Sequence, residues 1–172
     1  MTNFLEIIIF ILPAYIANSI PVVLGGGIPL DFERKFSDGR RIFGNGKTIR
    51  GFLSGVFGGT VTGGILAIAY PISYFSSVEM QFVASFALAL GTMTGDALGS
   101  FIKRRMDIES GRQFFLDTVM FIVLAMIFAY PFVIVNNAYT IENIAIIIVM
   151  TIIIHPLTNV FANRIGLKNV PW

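Results

Sequence analysis

The chain has 172 residues, of which 55% are hydrophobic and only 13% charged; twelve Lys and Arg against ten Asp and Glu leave a net charge of +2, and the mean hydropathy is +0.80. A soluble domain carries about 25% charged residues and a disordered chain needs low hydrophobicity, so both classes are excluded. The absence of cysteine excludes disulfides, iron–sulfur clusters and thiolate zinc sites, and the length allows one domain.

In chain order, apolar runs long enough to cross a bilayer, about 20 residues each, occur at 4–24, 52–72, 78–99, 114–135 and 141–161. They predict an all-α fold, a single transmembrane domain over 1–172 with five spanning helices. The first run is not a secretory signal, because the opening MTNFLE has no basic residue and carries Glu6. The connections at 74–79 and 136–142 contain no Lys or Arg. The segment 25–50 holds Arg34, Lys35, Arg40, Arg41, Lys47 and Arg50, the segment 100–113 holds Lys103, Arg104, Arg105 and Arg112, and the tail holds Arg164 and Lys168. All twelve basic residues therefore fall on one side, which the positive-inside rule makes cytoplasmic, with the N-terminus outside and the C-terminus inside. The basic balance thus reads as orientation in a cell membrane, with no nucleic acid implied.

Gly51, Gly55, Gly59 and Gly63 recur every four residues on the second helix, and Ala87, Gly91, Gly95 and Gly99 do so on the third. Such small-residue stripes let helix backbones approach closely in lipid. The loop at 25–50 is too long for a mere connector. Its glycines at 44, 46 and 51 surround Lys47, Thr48 and Arg50, next to a helix start where backbone N–H groups and the helix dipole favour an anion. A P-loop does not fit, since Arg41 stands where its first glycine is required and no strand precedes it. A different phosphate-binding segment and a solvated basic loop that only orients the protein both remain open on composition.

Asp96, Ser100 and Lys103 are spaced i, i+4, i+7 and share a face if the third helix continues. Asp117 enters the fourth span at a similar depth. Two carboxylates beside a basic, glycine-rich loop meet the requirements of a Mg²⁺–nucleotide site, since Mg²⁺ takes carboxylate and phosphate oxygens; a carboxylate–Arg pair joining helices is the plainer alternative. Asn18, His155 and Asn159 are weaker signals, of the kind that more often satisfy buried helix contacts.

S100-F-I-K103-R104, with Gly95-Asp96 upstream and G111…L116-D117 downstream, resembles the signature of the phosphatidate cytidylyltransferase family. Gly46-Lys47-Thr48-x-x-Gly51 resembles that family's Lys-Thr segment, and PLDFERKFSDGRRIFGNGKTIRG, GDALGSFIKRR and the ending LKNVPW are closest to its archaeal branch, the CDP-archaeol synthases. The likeness covers nearly the whole chain. It implies a Mg²⁺-dependent transfer of a cytidylyl group from CTP to an isoprenoid ether-lipid phosphate, 2,3-bis-O-geranylgeranylglycerol 1-phosphate, at the cytoplasmic face of the bilayer. Asp96, Asp117 and Lys103 are the implied catalytic residues, with Asp96 and Asp117 on the metal. Asn45, Gly46, Lys47, Thr48, Arg50, Ser100 and Arg104 are the implied binding residues. A homodimer is compatible with this reading. The broader signature's second closing acid falls on Met120, and Arg112-Gln113-Phe114-Phe115 replaces its His-Gly-Gly, so a metal site with two closing acids does not carry over. A cytidylyltransferase for another lipid phosphate and a small membrane transporter are the alternatives.

Overall fold

The computed structural model describes residues 3–108, 112 and 114–170. Gly111 of the quoted signature and the final Pro171-Trp172 lie outside the described residues. The described chain is helical, with only two isolated β-bridges, Pro29–Thr48 and Lys35–Arg41. Its elements are α1 (Phe4–Leu24), α2 (Ile49–Ala69), α3 (Val78–Arg105), α4 (Phe115–Ala129) continued by a 3₁₀ turn (Tyr130–Phe132), the short α5 (Val135–Ala138) and α6 (Ile141–Arg164). Five helical stretches, α1, α2, α3, α4 with its 3₁₀ turn, and α6, are long and apolar enough to cross a membrane.

Local chemistry sets the helix ends. Asn3, Thr48, Ser77 and Thr140 cap the starts of α1, α2, α3 and α6, each side chain accepting a bond from a first-turn N–H. The Thr48 cap starts the second span at Ile49, ahead of the expected 52. The third helix runs on beyond the apolar run's end at 99 to Arg105, the continuation that the shared face of Asp96, Ser100 and Lys103 needs, and the cations of its last turn suit the negative end of the helix dipole.

Lipid offers no hydrophobic force between helices, so backbone proximity decides the packing. In α3, 61% of the spanning window is buried, against 11% in α6, which makes α3 the central helix and leaves α6 facing lipid. A Cβ on Gly91 or Gly95 would stand 2.5 Å from the carbonyl oxygen of Leu124 or Met120, so α3 and α4 touch backbone to backbone. In the α1–α2 contact a Cβ on Gly55 would stand 2.7 Å from the carbonyl oxygen of Ala17, which Pro21 leaves without its helical N–H, and one on Gly59 would stand 2.7 Å from that of Pro13, so these helices too touch backbone to backbone. Phe10, Leu88, Phe121, Ile122 and Ile147 form the buried centre.

The two ends of the bundle differ in kind. At one end Ser73 bonds Glu6, and Asn143 bonds Tyr74. The other end gathers the 25–48 loop, the end of α3, the start of α4 and the tail beyond α6.

Candidate active site

The loop is built around Asp31, whose side chain is fully buried. Its carboxylate receives Arg41 Nη2 at 2.6 Å and Nε at 3.2 Å, the Phe43 and Gly44 N–H groups at 3.0 Å and the Glu33 N–H at 3.1 Å. Burial opposes ionisation, but these donors outweigh it and hold the Asp31 carboxyl well below the usual carboxylate range. The loop is then clamped onto α3. Arg105 lies over the Phe36 and Phe101 rings and pairs with Asp38 at 2.9 Å, and Arg40 donates to the Arg105 carbonyl at 2.9 Å. Antiparallel bonds from Leu30 N to Lys47 O and from Ile49 N to Ile28 O fix the Lys47–Thr48 strip.

That strip lines a cavity of about 390 Å³ at the charged end of the bundle. Lys47 Nζ pairs with Asp96 Oδ2 at 2.6 Å, and Lys103 Nζ with Asp117 Oδ2 at 2.7 Å. Lys103, nearly buried, also donates to the Arg112 carbonyl. Ser100 lies between the two pairs on the face of α3 that the spacing predicts, and Gly46, Thr48 and Arg104 line the same cavity. The Thr48 hydroxyl accepts from Gly51 N, which makes it the α2 cap as well as a wall residue. Arg104 lies alongside Gly44, where a Cβ would come within 3.4 Å of its Nε.

Two expected binding residues are placed elsewhere. Arg50 lines a separate apolar groove with Leu53 and Phe57, because the second residue of α2 points away from the α3 side. Asn45 is exposed and its Oδ1 accepts from Arg41 at 2.8 Å. Where a carboxylate–Arg pair joining helices is the plainer alternative, the described pairs are with lysines that face the cavity, and the Lys103–Asp117 pair does join α3 to α4.

Residues that the sequence signals only weakly, or not at all, complete the wall. Asn18, His155, Asn159 and Lys168 all line the cavity. The i, i+4 spacing of His155 and Asn159 marks a shared face, whereas Lys168 reads as one more cation of the tail. Asp31 lies in the PLDFERKF stretch that carries the family resemblance, but nothing in the sequence singles it out from its neighbours.

The donor set can be tested against a divalent cation. Among the described residues no three His, Cys, Asp or Glu side chains cluster as a complete metal cage. Asp96 and Asp117 nevertheless face one cavity with side-chain exposures of 22% and 34%, and a Cβ on Gly99 would stand 3.6 Å from Asp117 Oδ1. Two carboxylates with room beside them fit Mg²⁺, which commonly takes one or two carboxylates and fills its shell with phosphate oxygens and water.

The family model described as CarS-like, CDP-archaeol synthase, matches residues 1–172. The chain is similar to CDP-archaeol synthases of Pyrococcus furiosus (48% identity) and Pyrococcus abyssi (46%), over the full length of each, and of Methanocaldococcus jannaschii (39%, covering 95% of this chain and 94% of the relative). It is also similar to a solved structure of an intramembrane enzyme for archaeal membrane lipid biosynthesis, at 36% identity and a TM-score of 0.79, covering 93% of this chain and 96% of the other.

Proposed function

The chain belongs to the CDP-archaeol synthase family, and we propose that it transfers the cytidylyl group of CTP to 2,3-bis-O-geranylgeranylglycerol 1-phosphate at the cytoplasmic face of an archaeal membrane. The observation that carries this reading is the meeting of Lys47, Asp96, Lys103 and Asp117 in one cavity at the end of a membrane bundle. A transporter would need ionisable groups along the span, whereas these sit at one rim.

An oxygen of the lipid phosphate attacks the α-phosphorus of CTP. A new P–O bond forms as the bond to the β-phosphate breaks, and pyrophosphate leaves with the electron pair. No protein nucleophile is required, so positioning and charge neutralisation do the work. Lys47, Gly46 and Arg104 hold the triphosphate, with Thr48 fixing the α2 start beside it. Ser100 and Lys103 orient phosphate oxygens between the two helices. Asp96 and Asp117 would hold Mg²⁺, which supplies charge neutralisation at the phosphates. Before substrate arrives, each aspartate serves as counter-ion to its lysine, which keeps both ammonium groups aimed into the cavity.

The test is turnover by the detergent-purified protein with labelled CTP, Mg²⁺ and three acceptors: the isoprenoid ether-lipid phosphate, phosphatidate and a polyprenyl phosphate. The expected result is a cytidylylated ether lipid and one pyrophosphate per turnover. Transfer to none of the three overturns the activity, and equal use of phosphatidate overturns the substrate.

A further inference from the structure

The outward face of α2 carries a cation that the chemistry above leaves unused. With 3.6 residues per turn, Gly51, Gly55, Gly59, Gly63 and Ala67 fall on one side of the helix, and all are buried. Leu53, Phe57, Val61, Ile65 and Ile68 fall on the other side and are exposed, Phe57 by 71% and Ile68 by 80%. Arg50 stands in line with this second stripe, three residues before Leu53, where the helix leaves the basic loop. With Ile28 of the loop it heads a groove that continues over Leu53, Ser54 and Phe57.

Arg50 differs from its basic neighbours in what it meets. Arg40, Arg41, Lys47, Lys103 and Arg105 each pair with an aspartate. The Arg50 side chain is exposed and, among the described residues, has neither a hydrogen bond nor an ion pair. The other polar group of the groove is already engaged, since the Ser54 hydroxyl donates to the Gly51 carbonyl at 3.0 Å. What remains is a single guanidinium at the head of an apolar channel on a membrane helix. Its planar fork fits two phosphate oxygens at once, and its place at the first turn of a spanning helix is the depth of lipid head groups.

Length and charge decide what fills the groove. From Arg50 to Val61 the helix rises about 16 Å at 1.5 Å per residue, which is one leaflet's share of a hydrocarbon core about 30 Å thick. A phosphate on Arg50 therefore lays a lipid chain along Leu53, Phe57 and Val61 as far as the middle of the bilayer. A second copy packed through the same face would set Arg50 against Arg50, and α2 has no acid to compensate. We infer that Arg50 and the Leu53–Phe57 groove bind an anionic phospholipid of the leaflet beside the basic loop, at a site separate from the substrate cavity. A lipid held there braces the start of α2 from outside, two residues after the Thr48 cap. The site is independent of the cytidylyl-transfer reading.

The test uses the full chain, delipidated in a neutral detergent, with binding of phosphatidylglycerol and phosphatidylcholine of identical phytanoyl chains measured by native mass spectrometry. The wild-type protein is expected to prefer phosphatidylglycerol about tenfold, the size of one charge-assisted contact. Arg50→Ala and Arg50→Gln should both bring phosphatidylglycerol down to the level of phosphatidylcholine; the Gln variant keeps most of the side-chain stem and guards against a folding defect. Arg50→Lys, a point charge without the fork, should keep part of the preference, and Phe57→Ala should weaken both lipids alike. Lys35→Ala, on the exposed loop, and Lys47→Met, in the cavity, should leave the preference intact. The assignment is overturned by a wild-type protein with no preference or by a preference that survives both Arg50 neutralisations. An equal loss in Lys35→Ala overturns it in favour of diffuse attraction to the basic end, and an equal loss in Lys47→Met in favour of lipid inside the cavity. A wild-type dimer that Arg50→Ala splits into monomers overturns it as well, because a second copy then covers the face. Turnover does not enter this measurement, so its outcome leaves the transfer reading to its own assay.

Discussion

Lys103→Met, Asp117→Asn and the double variant form a cycle that separates a working pair from a tie between α3 and α4. Asp117→Asn leaves the Lys103 ammonium, whose side chain is 7% exposed, with the Arg112 carbonyl as its remaining described acceptor. Stranding one partner of a buried pair costs about 3–5 kcal/mol. Asp117 is 34% exposed, so solvent screens the pair and the cost falls to about 2 kcal/mol. Lys103→Met strands the half-exposed partner, which water can reach, and should cost about 1 kcal/mol. The double variant removes both charges and should return near wild-type stability, because Gly91 and Gly95 hold α3 against the α4 backbone without help from the pair. Turnover should behave differently. All three variants should lose at least a hundredfold, about 2.7 kcal/mol of transition-state stabilisation. Thermal unfolding in detergent and turnover with CTP and the ether-lipid phosphate, measured on the same preparations, decide the matter. A double variant that regains both stability and turnover would show that the pair is structural and refute its place in the chemistry.

Lys47→Met should weaken CTP binding roughly tenfold or more, as loss of one charge-assisted contact does, while Arg50→Ala, on the separate groove, and the exposed Lys35→Ala should leave it unchanged by calorimetry. Asp31→Asn should loosen the loop and lower the unfolding temperature at neutral pH. Because the folded Asp31 carboxyl sits below its ordinary value of 3.8, its contribution is complete above that pH and is lost only as pH falls further, so the gap between wild type and variant should stay constant in the neutral range and close below 3.8. Single cysteines at Ser37 and Ser77, added to this cysteine-free chain, should be labelled by impermeant reagents from opposite sides of the membrane; labelling from one side would refute the orientation.

The bilayer made much of the fold legible, since a chain in lipid must bond its own backbone within each span. The five apolar runs expressed that directly. Helix ends were read less well, because α3 continues as a helix after its apolar run stops, through Lys103, Arg104 and Arg105. The shared face of Asp96, Ser100 and Lys103 followed from helical spacing. Their partners did not: Lys47 reaches Asp96 across 49 residues of sequence, and Asn18 reaches His155 across 137. Arg50 looked equivalent to Lys47 in composition, yet the Thr48 cap places the two on different sides of the α2 start. The one local cue to Lys168 was Gly166, a helix-closing glycine two residues ahead of it.

The buried Asp31 has a kinetic consequence. Loops that grip phosphates often close only when the ligand arrives, and ordering them then subtracts from affinity and slows capture. Here the 25–48 segment is already wound around a carboxylate of its own and fastened to α3 by Arg40 and Arg105. The ordering cost is met once, during folding, and is not repeated in every catalytic cycle. Nucleotide capture by such a preformed cradle should be governed by diffusion and electrostatic steering, with an association rate that falls as salt rises.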